Sequence, residues 1–227
     1  MRIIAGELRG RRLAAPADKR TRPMLDRVRE ALFSILGQRV EGARVLDLFA
    51  GTGSLGIEAL SRGAREARFL EQGRKSAGLL RKNLADLELV ECGTVLERDA
   101  LAAGSWGVGP WDVVFMDPPY PFMRDAARQR RVLACVARLV DEQLSASGVL
   151  VLHVPKRALT EDSFGGSGLL LSERVYGTTS LWFVARAGPV RSDEADAAGQ
   201  GADAGEGALQ AGPHEFEDSH ESEEPEE

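Results

Sequence analysis

Arg44-Val-Leu-Asp47-Leu-Phe49-Ala-Gly51-Thr-Gly53-Ser-Leu-Gly56 is the stretch that decides the fold. Arg44 to Phe49 is an apolar run of strand length with one acid near its end. Ala50-Gly51-Thr52-Gly53 is a turn, and Ser54 to Leu60 has a helical pattern. Strand, glycine turn and helix N-terminus, in that order, build a nucleotide-type site at the carboxyl edge of a parallel sheet. Gly51 and Gly53 let the backbone approach a ligand with no Cβ in the way. With Gly56 they also fit G-x-G-x-x-G, a match that is weak by itself. Asp47 argues against a pyrophosphate there, because a carboxylate repels an anion and suits a ligand carrying an ammonium or a sulfonium. The simpler role for Asp47 is to hold the loop by accepting backbone N–H bonds.

A second apolar run, Trp111 to Met116, reads as a buried parallel strand and ends in Asp117-Pro118-Pro119-Tyr120. Each proline fixes its own φ and biases the residue before it toward extended backbone. The loop is therefore stiff and is not expected to continue as a helix. Neither proline has an N–H, so acceptors outnumber donors. The Asp117 carboxylate, the Pro118 carbonyl and the flat face of Tyr120 suit a planar ring that carries an amino group. The ring would stack on Tyr120 while its amino hydrogens point at Asp117 and Pro118. The simpler reading is a Pro-Pro turn that closes a strand, with Tyr120 partly in the core.

Other strands read at Ala67–Glu71, Thr94–Glu97 and Gly148–Val154. An antiparallel pair, Leu169–Val175 and Leu181–Ala185, turns around Gly177. Helices read at Asp26–Leu36, with Val28, Leu32, Ile35 and Leu36 on one face, at Arg74–Leu87, and at Arg128–Val140, with Val132, Leu133, Val136, Leu139 and Val140 inward. Gly37 reads as the stop of the first helix. Residues 1–20 read as short strands with Gly6 and Gly10 at turns. Strands alternating with helices define an α/β fold.

A chain of 227 residues with 43% apolar content can bury one sizeable core. Cys92 and Cys135 lie far apart, with no metal-ligand spacing among the 3 histidines, so neither a disulfide framework nor a metal site is expected. The N-terminus is charged from Arg2 and has no long apolar stretch, so no membrane span and a cytoplasmic location are expected.

The net charge of −6 is unevenly spread. Residues from Arg191 onward carry 13 acids and 1 base, and residues 1–40 carry 10 bases and 4 acids, while residues 41–190 balance at 18 each. The body of the protein is therefore basic at its N-terminal end, as a polyanion partner requires. From about Gly188 the composition turns to Gly, Ala, Asp and Glu, which cannot bury enough apolar surface to order itself.

Asp47-Leu-Phe-Ala-Gly-Thr-Gly53 followed by Asp117-Pro-Pro-Tyr120 resembles the S-adenosylmethionine-dependent amino-methyltransferases. Met1-Arg-Ile-Ile-Ala-Gly6, Arg9-Gly-Arg11, Thr21-Arg-Pro23 and Asp26-Arg-Val-Arg-Glu-Ala-Leu-Phe33 narrow the likeness to the RsmD-type 16S rRNA guanine-N2 methyltransferases, over Arg2 to about Ala187. The resemblance implies a Rossmann-like class I methyltransferase. Its sheet would have seven mostly parallel strands with a closing antiparallel strand, and a small N-terminal strand extension would precede it. S-adenosylmethionine would be the methyl donor. The reaction would be of the 16S rRNA (guanine(966)-N2)-methyltransferase type, on rRNA within a 30S subunit or assembly intermediate, carried out by a monomer.

Residue by residue, the resemblance assigns cofactor binding to Asp47, Phe49, Gly51, Gly53, Glu71, Asp99 and Ala100. Glu71 would accept both ribose hydroxyls. Asp99 would accept the adenine amino group unless it is a helix N-cap, and the Ala100 N–H would face a ring nitrogen. Catalysis falls to Asp117, Pro118, Pro119 and Tyr120, and rRNA phosphate to Arg2, Arg9, Arg11, Arg12, Arg20, Arg22, Arg27 and Arg29, though not all can face it and some would pair with Glu7, Asp18, Asp26 or Glu30 instead. Three segments follow: a basic, rRNA-facing extension and helix (1–40), the methyltransferase domain (41–188) and a disordered acidic tail (189–227). Met24-Leu25 stands where the family has small hydroxyl residues, and His153 where it often has an acid. His153 reads as a satisfied polar residue at the end of the fifth strand and not as a catalytic base.

Three other functions use parts of the same pattern. An amino-methyltransferase acting on another RNA, on DNA adenine or on a protein glutamine would share both loops. A nicotinamide dehydrogenase would use only the glycines. A non-catalytic RNA-binding factor would use only the basic segment.

Overall fold

In the computed structural model, residues 1–15, 24–102, 104–165 and 168–187 are described. Arg20, Arg22 and the acidic tail lie outside them. In chain order the elements are α1 (Asp26–Leu36), β1 (Arg44–Leu48), α2 (Ser54–Ser61), β2 (Glu66–Leu70), α3 (Arg74–Asp86), β3 (Gly93–Leu96), β4 (Trp111–Met116), α4 (Tyr120–Arg124), α5 (Ala126–Arg138), β5 (Leu144–Pro155), β6 (Leu169–Tyr176) and β7 (Thr179–Arg186). One seven-stranded sheet runs β3-β2-β1-β4-β5-β7-β6. β1 to β5 are parallel, and β7 is antiparallel to both β5 and β6.

Strand alternation builds two cores. Val45, Phe69, Phe115 and Val151 face α1, α2 and α3, packing on Leu32, Ile57 and Leu80. Leu46, Leu70, Val114 and Leu150 face α5, packing on Val132 and Val136. Strand order reverses between β1 and β4, whose carboxyl ends carry the two motif loops. That is the place where open α/β sheets hold their ligands.

α1 and its Gly37 stop, at φ 52, fall where the sequence puts them. Ile35 does not, since it is 43% exposed. Phe33 and Arg29 are buried and pull the core-facing stripe toward their side of the helix, leaving Ile35 at its margin. The N-terminal segment forms a single antiparallel bridge, Arg2 to Arg12, with positive φ at Gly6 and Gly10. It is tied down by side chains of the domain. Glu58, fully buried on α2, accepts from the N–H groups of Ile4 and Ala5 at 2.8 and 3.0 Å. Asn83 on α3 accepts from Ala14 N–H and donates to the carbonyls of Ala14 and Thr52.

Candidate active site

The cofactor loop leaves β1 through Phe49, a non-glycine residue at φ 61, a backbone state that the surroundings must stabilise. Glu71, just past β2, reaches across. Its Oε2 accepts from Gly51 N–H at 2.8 Å and its Oε1 from Gly73 N–H at 2.6 Å. Gly53 and Gly56 are packing glycines. A Cβ on Gly53 would meet Leu80 Cδ1 at 2.2 Å, and one on Gly56 would meet the Phe69 ring at 2.3 Å. The dinucleotide-like spacing therefore records how closely α2 approaches α3 and the sheet.

Asp47 sits beneath this loop at 1% exposure, and its Oδ2 accepts from Gly56 N–H at 2.9 Å. Burial pushes its carboxyl up to about 7; the Gly56 bond opposes this, while Asp117 and Glu71 add to it.

The catalytic loop departs from expectation in one respect: α4 begins at Tyr120, directly after the two prolines. Pro119 serves as its N-cap residue, and Pro121 falls in the first turn, where a missing N–H removes no helical bond. Asp117 Oδ1 lies 2.8 Å from His153 Nδ1. The Tyr120 ring meets the imidazole edge-on, with centroids 6.2 Å apart. His153 is thus satisfied at Nδ1 alone. Its Nε2 is buried and has no hydrogen-bond partner among the described residues. Nor does it end the strand, since β5 continues to Pro155. The two loops also touch each other through Phe49 and Phe122, whose rings meet edge-on at 5.9 Å.

A cavity of about 630 Å³ opens between the loops. Phe49, Gly51, Glu71, Asp99 and Ala100 line it from one set of strand ends, and Asp117, Pro118, Pro119 and Tyr120 from the other. Met1, Ala15 and Met24 complete the wall, so the N-terminal segment borders the site. Asp47 and Gly53 are not on this wall; one is under the loop and the other is packed on α3. Asp99 Oδ1 accepts from Leu101 N–H at 2.9 Å, a local turn and not a helix cap, and its other oxygen lies 3.5 Å from Arg131.

Of the arginines assigned to phosphate, Arg2, Arg9, Arg11, Arg12 and Arg27 are exposed. Arg11 donates to the Asp86 carbonyl at 2.8 Å, and Arg2 lies 3.7 Å from Asp26. Arg29 is a correction. It is fully buried, donates to the Arg2 carbonyl and pairs with Asp26 at 3.1 Å. Burial lowers its pKa against the raising effect of Glu58 and Asp26. Arg29 therefore anchors the basic segment and cannot face RNA.

The charge balance over residues 41–190 also hid a local cluster. Arg124, Arg128, Arg130 and Arg131 are exposed on α4 and α5, and the Arg128 guanidinium lies 5.1 Å from the centre of the cavity-lining Phe122 ring. A window shorter than a whole domain would have found it. Among the described residues no group of three His, Cys, Asp or Glu side chains could hold a metal ion, and no helix is long and apolar enough to cross a membrane.

Fold and site together define a Rossmann-like methyltransferase. The family described as Conserved hypothetical protein 95 matches residues 1–185. The chain belongs to that family, and with it to the RsmD-type methyltransferases. It is 34% identical over 186 residues to "Putative rRNA methyltransferase YlbH" of Bacillus subtilis, covering 80% of this chain and 96% of that one. It is 42% identical over 120 residues to "Ribosomal RNA small subunit methyltransferase D" of Escherichia coli, covering 53% of this chain and 60% of that one. Among solved structures, "Putative methyltransferase yhhF from Escherichia coli" superposes with a TM-score of 0.70 at 31% identity, covering 83% of this chain and 99% of that one.

Proposed function

We propose that the protein transfers a methyl group from S-adenosylmethionine to the exocyclic N2 of a guanine in 16S rRNA. The observation that carries this reading is the single cavity walled on one side by Glu71 and the Gly51 turn and on the other by Asp117-Pro-Pro-Tyr120. The residues present fit the cofactor. A Cβ built on Gly51 meets nothing within 4 Å, so the turn leaves room for a ligand. Glu71 and Asp99 put carboxylate acceptors on the wall, as ribose hydroxyls and an adenine amino group require. Glu71, Gly51, Phe49, Asp99 and Ala100 would hold S-adenosylmethionine, with Asp47 and Gly53 shaping the loop from behind. When bound, it supplies an activated sulfonium methyl.

The protein's own contribution is position and charge. Asp117 and the Pro118 carbonyl accept from the guanine amino group, whose lone pair is otherwise delocalised into the ring. These acceptors favour pyramidal nitrogen and stabilise the positive charge that grows there. Tyr120 provides the stacking face. The base must be unstacked or already exposed to reach the cavity.

The exposed N-terminal arginines, together with those of α4 and α5 beside the catalytic loop, offer phosphate contacts for rRNA in a 30S particle or assembly intermediate. The protein would act as a cytoplasmic monomer built from segments 1–40, 41–188 and 189–227. The test is tritium transfer from labelled S-adenosylmethionine to 30S particles, naked rRNA, DNA and release factors, with mapping of methylated guanines by mass spectrometry. Label in guanine N2 of 16S rRNA is expected; label in DNA or protein, or none in any substrate, overturns the reading.

A further inference from the structure

His153 stands on the strand beside the catalytic loop. β4 and β5 run parallel, with Phe115 opposite Val151 and Met116 opposite Leu152. One step further the same register brings Asp117 beside His153, on the face that Phe115 and Val151 share. The imidazole is 4% exposed, and its Nδ1 lies 2.8 Å from Asp117 Oδ1. An ionised carboxylate can only accept, so with Asp117 ionised the donor in this contact is Nδ1–H. Nε2, buried and without a hydrogen-bond partner among the described residues, does not contribute to this contact. The Tyr120 ring packs edge-on against the same imidazole.

We infer that His153 is a positioning residue for methyl transfer: its Nδ1–H occupies Asp117 Oδ1 and fixes the carboxylate so that Oδ2 is presented to the substrate amine. This rests on the reading of Asp117 as the acceptor for that amine. Asp117 needs such a partner. Its side chain is 31% exposed; two prolines fix the backbone behind it but not its χ angles. A charge-assisted hydrogen bond from a buried, immobile ring removes that freedom. The same ring supports Tyr120, so one side chain sets the acceptor and the stacking face together. Nothing in this role consumes a proton.

The test compares His153→Leu and His153→Asn, each alone and combined with Asp117→Ala, by kcat, KM and melting temperature. Leu keeps much of the volume and has no donor. The Asn side-chain amide places an N–H near the position of Nδ1. The expected result is a kcat lowered about 10- to 100-fold in His153→Leu, the range for a lost hydrogen bond to a charged group, with KM for both substrates little changed. His153→Asn should recover most of that loss. In the Asp117→Ala background, His153→Leu should cost nothing further.

Near-normal kcat in His153→Leu, a loss equal in both backgrounds, or an Asn variant no better than Leu would each overturn the inference while leaving Asp117 in place. Near-normal kcat in Asp117→Ala would instead overturn the reading of the site. If the Leu variant fails to fold, ¹⁵N NMR of histidine-labelled unmodified protein still decides. An Nδ1–H of His153 whose signal shifts in Asp117→Ala supports the inference, and a ring protonated at Nε2 alone refutes it.

Discussion

The two loops that wall the cavity are built on opposite principles. The cofactor loop is rich in glycine, and side-chain carboxylates hold it and the helix that follows by accepting from their backbone: Glu71 from Gly51, and Asp47 from Gly56. The catalytic loop is rich in proline, has few N–H groups to offer, and its one carboxylate is held by a side chain, His153. A loop that donates its own N–H groups can surround a ligand with backbone. A loop stripped of them presents acceptors. Three carboxylates within one site thus do different work. Asp47 is structural and buried, Glu71 is a half-buried clasp that faces the cavity, and Asp117 faces the cavity with one oxygen against His153.

The sharpest way to break this comparison is to remove one cavity carboxylate of each loop's site, Asp117 and Glu71, in turn. Asp117→Ala should cut turnover about 100-fold or more while cofactor affinity stays near normal, since it deletes a contact that strengthens as charge develops. Single-turnover kinetics and a cofactor titration check both halves. Glu71→Ala should do the reverse. Cofactor affinity should fall about 10-fold, the worth of a charge-assisted bond to ribose after the backbone N–H groups are left to water, and calorimetry measures it. If the two variants exchanged phenotypes, the division between the loops would be wrong.

A third expectation separates arginines that face solvent from one that does not. Arg12→Gln should lower the slope of log affinity against log salt by just under about one unit if Arg12 meets phosphate. Arg29→Met should leave that slope alone and lower the melting temperature, because it strips the N-terminal segment of its buried anchor and leaves Asp26 and the Arg2 carbonyl short of a donor. RNA binding measured across a salt series, beside thermal unfolding, distinguishes them.

The smallest effect concerns Asp47, whose carboxyl is raised from 3.8 to about 7. The folded protein keeps a proton there that the unfolded chain releases, so this group makes stability fall as pH rises from about 4 through about 7. Asp47→Asn can still accept from Gly56 and should flatten that decline. At pH 8 the variant should melt about 2–4 °C higher than the unmodified protein for each kcal/mol recovered, and the difference should vanish below pH 4. Thermal scans from pH 4 to 8 measure it, and a difference that does not depend on pH would contradict a buried, proton-holding Asp47.

Much of the site was legible because its signals are local. Asp117-Pro-Pro-Tyr120 and Gly51-Thr-Gly53 are contiguous, and the strand before each loop announces itself by an apolar run. Glu71 was legible from its place at a strand end. Arg29 was misplaced, whereas Asp47 takes the simpler of its two roles, holding the loop through the Gly56 N–H. A charged residue in a basic segment reads as exposed until one knows what packs on it, and the Arg2 backbone meets Arg29. The helix after the prolines was missed because a proline forbids helix before it yet favours helix at the first turn after it.

The sequence by itself determined the order of the strands and of the helices other than α4, the two loops at strand ends and the basic N-terminal segment, since periodicity, proline and glycine act over a few residues. Only the tertiary structure decided which carboxylate faces the cavity, which arginine is an anchor, and that His153 meets Asp117. Those contacts join residues 9 to 36 positions apart. They exist only once parallel strands fall into register, and no local property of the chain encodes the burial that results.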